Sequence, residues 1–432
     1  MGIFNVVSFC GIFVLLLGAW LLSADRRKVN KRLVLVGLIL DLALGAIVFL
    51  VPGAAKAVLA CETMVSGLAA VASTGAAVLF GKLSTAFTVN GPEAGRLVAL
   101  TTVFQVFPRI LLFAMLASIL YLAGFFPWLV RLMSRAFSRR LGLSGMEATC
   151  VVTNLFTGVS SLFVARPALG EMTRSELCTV LAVGMSAFSS NAFSLVLARA
   201  PGPSGAHLVA SSLLALPAAL VVSKILLPES GIPRTLDPSA ELGDRPNGLL
   251  AALTAGTRHG LRVIVAMTAF VLASVAAFAV LNLLFALLGR VMNPMLGMAF
   301  DWSIQGFLTL VFYPLAVLTG VSPADAFPVA QALGQRVVTG EAAAVQDLFV
   351  ALQEGRLASQ RSVIVAAYAM AGGVNMMSFA VFTGATAALV PERTREILPV
   401  AARAFLAAAF ASLIAAAVAG TFFISGLAPM AK

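Results

Sequence analysis

Ala24-Asp25-Arg26-Arg27-Lys28-Val29-Asn30-Lys31-Arg32 stands between two apolar runs, residues 4–22 and 33–51. Arg26, Arg27, Lys28, Lys31 and Arg32 hold such a short loop on the cytoplasmic side of a membrane. The runs on either side therefore read as two consecutive crossings in opposite directions. Each gives about 28 Å of helix, close to the ~30 Å of a hydrocarbon core. No basic segment precedes the first run and no Ala-x-Ala site follows it, so it reads as a span and not a cleaved signal peptide.

Outward from that loop the chain keeps the same character. Of 432 residues, 60% are hydrophobic and 11% charged, and the mean hydropathy is +1.01. These values exclude an ordinary soluble enzyme, a disordered chain and a fibrous repeat. The apolar runs are continuous and not alternating, which excludes a β-barrel. The formal charge of +11 comes from short basic clusters between apolar runs, so no nucleic acid partner is implied. Cys10, Cys61, Cys150 and Cys178 show no CxxC and read as packing residues. His207 and His259 cannot build a metal site alone. Paired carboxylates and nucleophile–base arrangements are missing, so no catalytic residue is assigned.

Spans of membrane length fall at about 4–22, 33–51, 98–123, 175–199, 207–227, 263–289, 364–389 and 400–425. Four other apolar stretches, 54–81, 144–169, 294–320 and 324–350, are shorter, carry charge, or are broken by Gly, Ser, Thr and Pro. Arg131, Arg135, Arg139 and Arg140 place the loop 131–140 inside, as 24–32 is. Two spans already lie between these loops, so 54–81 cannot cross singly. The same count applied to 263–403 leaves 294–320 and 324–350 without a net crossing. The halves then align: each has a broken hairpin, a polar turn with Arg and Ser (171–176, then 359–362), and a helix pair. This is the pattern of an inverted-repeat secondary transporter, whose broken helices meet near the midplane.

Several segments, in one order, make the reading specific. They are Gly18-Ala19-Trp20-Leu21-Leu22-Ser23, Ala76-Ala77-Val78-Leu79-Phe80-Gly81, Leu141-Gly142-Leu143-Ser144-Gly145-Met146-Glu147, Met172-Thr173-Arg174-Ser175-Glu176-Leu177, Pro217-Ala218-Ala219 and Pro391-Glu392-Arg393. Over nearly its full length the chain resembles the concentrative nucleoside transporter family, as a divergent bacterial member. The resemblance implies an all-α polytopic membrane protein with eight transmembrane helices plus two re-entrant hairpins in an inverted repeat. It also implies a homotrimer in the bacterial inner membrane with the N-terminus outside. The expected units are 1–130 (scaffold spans and surface helix), 131–230 (first transport repeat), 231–262 (cytoplasmic linker), 263–320 (scaffold span and surface helix) and 321–432 (second transport repeat).

The family's second hairpin carries Asn-Glu at its tip and the next helix carries Asn-x-x-Ser; these hold the ribose. A carboxylate accepts from both hydroxyls of a diol, and Asn and Ser supply complementary groups. Glu341, Asn375 and Ser378 match. The tip Asn is Gly340 here, and an aromatic expected before Asn375 is Gly373. Asn375 and Ser378, at i and i+3, are expected on one helix face. The first hairpin departs further. Where the family reads a base through Gly-Gln-Thr-Glu, this chain has Gly158-Val159-Ser160-Ser161. Ser186, Ser189, Ser190 and Asn191 on the facing helix are partial replacements.

For the coupling ion the resemblance implies sodium near the first tip, held by Asn154, Thr157 and the start of the 186–187 segment. Ala187 stands at the family's hydroxyl position and Ser186 one residue before it. Proton coupling would need Glu341, Glu147 or Asp41. The expected function is import of a nucleoside-like solute, coupled to sodium or protons, by an elevator-like shift of the hairpin domain. The altered base tip makes a standard pyrimidine nucleoside the wrong substrate. The expected partners are that small polar solute and the lipid bilayer, with a possible sodium ion and no other cofactor or metal. The alternative is a non-transporting membrane subunit or solute sensor that retains the fold.

Overall fold

The computed structural model describes residues 2–51, Thr74, Ala77, 94–141, 143–187, 205–231, 247–297, 300–370 and 372–423. The expected surface helix at 54–81 lies outside these, apart from its two named residues. The described regular structure is helical throughout, with no strand among the described residues. In chain order the helices are α1 (Ile3–Leu21), α2 (Lys31–Leu50), α3 (Ala94–Leu122), α4 (Phe125–Leu141), α5 (Gly145–Thr157), α6 (Ser161–Leu169), α7 (Arg174–Ser186) and α8 (Gly205–Leu226). Then come α9 (Leu249–Leu296), α10 (Ile304–Leu318), α11 (Ala326–Thr339), α12 (Glu341–Gln353), α13 (Gln360–Met370), α14 (Met376–Leu389) and α15 (Thr394–Phe422).

Four segments are long and apolar enough to cross a bilayer by length and composition: α1, α2, Leu249–Met295 and Pro391–Phe422. A fifth is added if α3 and α4 count as one span, but they bend by 76° at Gly124, whose φ is +79°. Residues 131–140, expected as a loop, are helical. Phe126 and Val130 are buried while Arg131 and Arg135 are exposed, so α4 is amphipathic and suited to the membrane surface.

Of two runs expected to cross unbroken, 175–199 leaves its helix midway, its remainder from 188 lying outside the described residues, and 364–389 is interrupted. α7 stops at Ser186, and Ala187 is extended (φ −82°, ψ 145°). α13 stops at Met370 and α14 restarts at Met376. Gly372 and Gly373 lie between them, and glycine is a poor helix former. The Asn375 side chain then accepts from the Ser378 backbone N–H at 2.8 Å and caps the new helix. Hydropathy reports composition and not continuity, so neither break was visible in it. α9 also exceeds its expected span 263–289. Its 48 residues make a rod of roughly 72 Å, beginning inside the segment read as a linker.

α5 and α6 pack as one helical hairpin, and α11 and α12 as another. Each reverses at a glycine with positive φ, Gly158 at +56° and Gly340 at +99°. At both, the accompanying ψ (−130° and 168°) is one only glycine adopts freely. The turn of the first hairpin and α11 of the second both touch α14. α15 is the central post, packed against α1, α7, α8 and α13. Ala401, Ala404, Ala408, Ala411 and Ala415 on it are fully buried, and such small residues let helix backbones approach closely. α9 packs against α3 and α14, with Leu272, Val275 and Leu283 exposed.

The feet of the hairpin region are tied by polar side chains. Ser144 and Glu147 form a capping box at the start of α5, and Thr173 and Glu176 another at the start of α7. These are the S-x-x-E and T-x-x-E signatures of helix starts. Lys224 of α8 lies 2.5 Å from Glu147, 3.6 Å from Glu229 and 3.1 Å from the Ser175 hydroxyl. Arg393 donates to the carbonyls of Leu169 and Met172. In the second half, the carboxylate of Asp325 accepts from the N–H groups of Ala358 and Ser359. Arg361 donates to the Gly320, Phe4 and Gly420 carbonyls and to the side chains of Asn5 and Ser8.

Asp41 on α2 is 2% exposed beside a small cavity lined by Leu38, Ala218 and Ile414. Among the described residues neither of its carboxyl oxygens has a hydrogen-bond partner. We expect Asp41→Leu to raise thermal stability in detergent, by the equivalent of about 1–3 kcal/mol for a buried unpaired polar group. A fall in melting temperature would show that Asp41 makes a necessary contact. Lys224→Met should instead cost about 3–5 kcal/mol, because it strands the fully buried Glu147. Adding Glu147→Gln should recover part of that loss in the same melting assay.

Candidate substrate and ion site

The two helix breaks meet. The N–H of Gly373 donates to the carbonyl of Ala187 at 3.3 Å, joining the interruption after α7 to the interruption before α14. The approach leaves no room for a side chain. A Cβ on Gly373 would sit 2.9 Å from the Ala187 oxygen and 3.3 Å from both the Met185 oxygen and Ser378 Oγ. A larger residue at 373 would require the two segments to move apart. Gly372 is equally enclosed, its Cβ position 3.2 Å from the Ser186 oxygen.

The first hairpin leans on the same break. Asn154, 2% exposed, donates through Nδ2 to the carbonyl of Val183 at 2.9 Å. Its Oδ1 accepts from the Ser161 hydroxyl at 3.2 Å. The Ser186 hydroxyl donates to the same Val183 carbonyl at 3.0 Å. Asn154, Ser161, Ser186 and Ala187 thus form one buried cluster of amide, hydroxyl and carbonyl oxygens. Oxygen donors suit a hard cation such as sodium and give little to a soft metal. Among the described residues there is no group of His, Cys, Asp and Glu able to hold a metal ion.

The hairpin tips carry the rest of the expected residues. Val159 and Ser160 lie in the 3-10 turn Gly158–Ser160, and Ser161 opens α6. Val159 is half-buried, whereas Ser160 and Ser161 are buried. Thr157 ends α5. Glu341 is the first residue of α12, directly after Gly340. The start of a helix carries a partial positive charge that favours a carboxylate there. Asn191, with Ser189 and Ser190, lies outside the described residues.

Asn375 and Ser378 are brought together, but not on a helix face as expected. Asn375 is extended (φ −144°, ψ 162°) and caps α14. The i, i+3 spacing is that of a cap and the residue it caps. Asn375 is buried and Ser378 half-buried, on the same short stretch as Gly373.

Four participants were not foreseen: the Val183 carbonyl, the Gly372-Gly373 pair, Arg336 and Ser412. A backbone carbonyl leaves no trace in sequence. The glycine pair was legible as a helix breaker within an apolar run. Arg336 was legible as a cation amid Val, Ala and Leu. It is 0% exposed, donates to the Ala369 carbonyl, and has Nη2 3.4 Å from the Ser412 hydroxyl of α15.

Comparison with known proteins identifies the family. Residues 10–83 match the Na+ dependent nucleoside transporter N-terminus, 103–204 the nucleoside recognition (Gate) region, and 207–420 the Na+ dependent nucleoside transporter C-terminus. An uncharacterized transporter of Haemophilus influenzae is 26% identical over 98% of this chain and 99% of its own length. The putative nucleoside permease NupX of Escherichia coli is 28% identical over 98% and 99%. Sodium/nucleoside cotransporter 1 of Sus scrofa is 28% identical over 97% of this chain and 64% of that protein. Among solved structures, a doubly substituted CNTnw in an outward-facing state superposes with a TM-score of 0.84 at 26% identity, covering 96% of this chain and 98% of that one. CNTnw in an inward-facing substrate-bound state gives 0.72 at 28% identity, over 97% and 98%. The chain belongs to the Na+ dependent, concentrative nucleoside transporter family.

Proposed function

We propose that the protein is a sodium-coupled secondary transporter that imports a nucleoside-like solute, with the two hairpins and their broken helices as the moving body. The observation that carries this reading is the contact of the two breaks between Gly373 and Ala187. Unwound backbone within an apolar body is tolerated where it is buried in protein or lines a polar cavity, as in secondary transporters. The superposition supports alternating access. The fold lies nearer the outward-facing CNTnw structure, at 0.84, than the inward-facing one, at 0.72.

Glu341, Asn375 and Ser378 hold the sugar in this proposal. Asn154, Ser186 and the Val183 and Ala187 carbonyls supply the sodium site, with Thr157 beside it. Val159 and Ser160 are left to face the base, because the Ser161 hydroxyl is engaged with Asn154. A valine and one hydroxyl cannot reproduce the donors and acceptors that read a pyrimidine edge. Binding therefore depends on the sugar more than on the base. Eight spans, two re-entrant hairpins, an outside N-terminus and a homotrimer in the bacterial inner membrane complete the proposal.

Counterflow in proteoliposomes tests it. A sodium gradient should drive riboside uptake, and choline should not replace sodium. Proteoliposomes without sodium-driven uptake of any riboside would leave the sensor alternative standing. Glu341→Gln should weaken riboside binding about 10- to 100-fold, from the roughly 1.5–3 kcal/mol of a hydrogen bond to a charged group. Removing the ribose hydroxyls from the ligand should cost the wild type a similar factor and cost the variant much less. Plain uridine should bind wild type poorly. Tight uridine binding that survives Glu341→Gln would place the ligand elsewhere.

A further inference from the structure

The two hairpins use matching positions for different chemistry. Asn154 stands four residues before the tip Gly158, and Arg336 four residues before the tip Gly340. Each tip glycine donates its N–H back to the carbonyl of that residue, Gly158 to Asn154 and Gly340 to Arg336. Each of these side chains then crosses to the broken helix that follows its hairpin. Asn154 reaches the carbonyl of Val183, the tenth residue of α7. Arg336 reaches the carbonyl of Ala369, the tenth residue of α13. Position and acceptor correspond in both repeats, while the donor changes from a neutral amide to a guanidinium.

A helix that stops leaves the carbonyls of its last turn without intrahelical partners and carries about half a negative charge at that end. Water resolves this at a protein surface. At a buried break side chains, backbone donors, ions or trapped water must do so. In the first repeat the groups on Val183 are Asn154 and Ser186, both neutral. In the second repeat the group on Ala369 belongs to a side chain that stays protonated at any working pH. The Ser412 hydroxyl donates onward to Ala409 at 2.9 Å, which turns its lone pairs toward Arg336.

Resting on the sodium-coupled reading above, we propose that Arg336 is a fixed cation that closes the second helix break, in the position where the first repeat keeps a neutral amide and admits an exchangeable ion. The second repeat then has no sodium site, and one sodium ion is coupled per solute. Arg336 is a positioning residue in this scheme: it holds the α13 end and the Gly372-Gly373 segment so that Asn375 and Ser378 are presented to the ligand.

The test is sodium-dependent thermal stability of the purified full-length protein, with sodium exchanged for choline at constant ionic strength, alongside charge moved per solute in proteoliposomes. Wild type should show a one-site sodium curve, since a ligand bound to the folded state stabilises by RT ln(1 + [L]/Kd). Arg336→Lys should keep that one-site form. Arg336→Asn, which repeats the first hairpin's donor in the second, should melt lower in choline and gain a steeper sodium response. The slope of its stability against the logarithm of sodium concentration should about double at high sodium, with the charge moved per solute about doubled, as for two sites replacing one. An Arg336→Asn curve identical to wild type would overturn the proposal, as would an Arg336→Lys protein as impaired as Arg336→Asn. Should Arg336→Asn fail to fold, Asn154→Arg runs the exchange in reverse. It should melt independently of sodium, and a retained sodium response would overturn the proposal. Failure of the sodium-coupled reading itself is separately visible as wild-type protein indifferent to sodium. In that case a sodium response gained by Arg336→Asn still supports the fixed cation, and its absence overturns it.

Discussion

A helix cannot be interrupted inside an apolar body unless the backbone groups it releases find partners there. That constraint organises this protein. An unmet buried carbonyl or N–H costs about 1–3 kcal/mol, and two interrupted helices release several. The structure answers by crossing one interruption over the other, so that Gly373 donates to Ala187. A side chain on Asn154, Ser186 or Arg336 takes each remaining carbonyl named here. Glycine at 372 and 373 follows from the crossing, because a Cβ at 373 would lie 2.9 Å from the Ala187 oxygen. The polar centre is thus a consequence of the breaks, and a solute site built there inherits oriented carbonyls and amides without further machinery.

Rigidity is distributed to suit. The hairpin feet are pinned by charged networks: Glu147 with Lys224, Asp325 with the 358–359 backbone, Arg393 and Arg361 with several carbonyls each. The tips rest on glycine turns whose dihedrals other residues reach only at about 1–3 kcal/mol. The alanine face of α15 lets α7, α8 and α13 pack onto one post. Against this body, α9 makes its contacts mainly with α3 and α14.

Much of this was legible in the sequence, for identifiable reasons. Loop charges and run lengths fix helices such as α1 and α2, because membrane crossing is a matter of composition. Ser144-x-x-Glu147 and Thr173-x-x-Glu176 were prominent as sequence, and their content is local: each is a capping box. The unbroken spans at 175–199 and 364–389 were misread because hydropathy averages over the local break, a glycine pair in 364–389 and Ser186-Ala187 in 175–199. The placement of Asn375 on a helix face was misread because i, i+3 spacing serves a cap as well as a helix face. Arg336 escaped notice since its acceptor is a backbone carbonyl 33 residues away, and backbone acceptors have no sequence signature.

The departure at the first hairpin tip has a further meaning once the geometry is known. Ser161 stands where the family places a carboxylate used on the base, and its hydroxyl lies 3.2 Å from Asn154 Oδ1. The same atom lies in the cluster assigned above to sodium, so base recognition and ion binding share a neighbour. A carboxylate within ~4 Å of a cation contributes roughly 4 kcal/mol of attraction at an effective dielectric constant near 20. A serine contributes a dipole instead. Exchanging one for the other removes a base-reading group and one unit of negative charge from the ion's surroundings together. An ion site built of neutral oxygens alone binds more weakly, and a tip with no carboxylate does not require an amine-bearing base edge. On the proposed assignment, a serine at 161 thus removes a base-reading group and lowers the negative charge beside the ion cluster together, while the proposed sugar-facing residues 341, 375 and 378 stand apart on the second hairpin and α14.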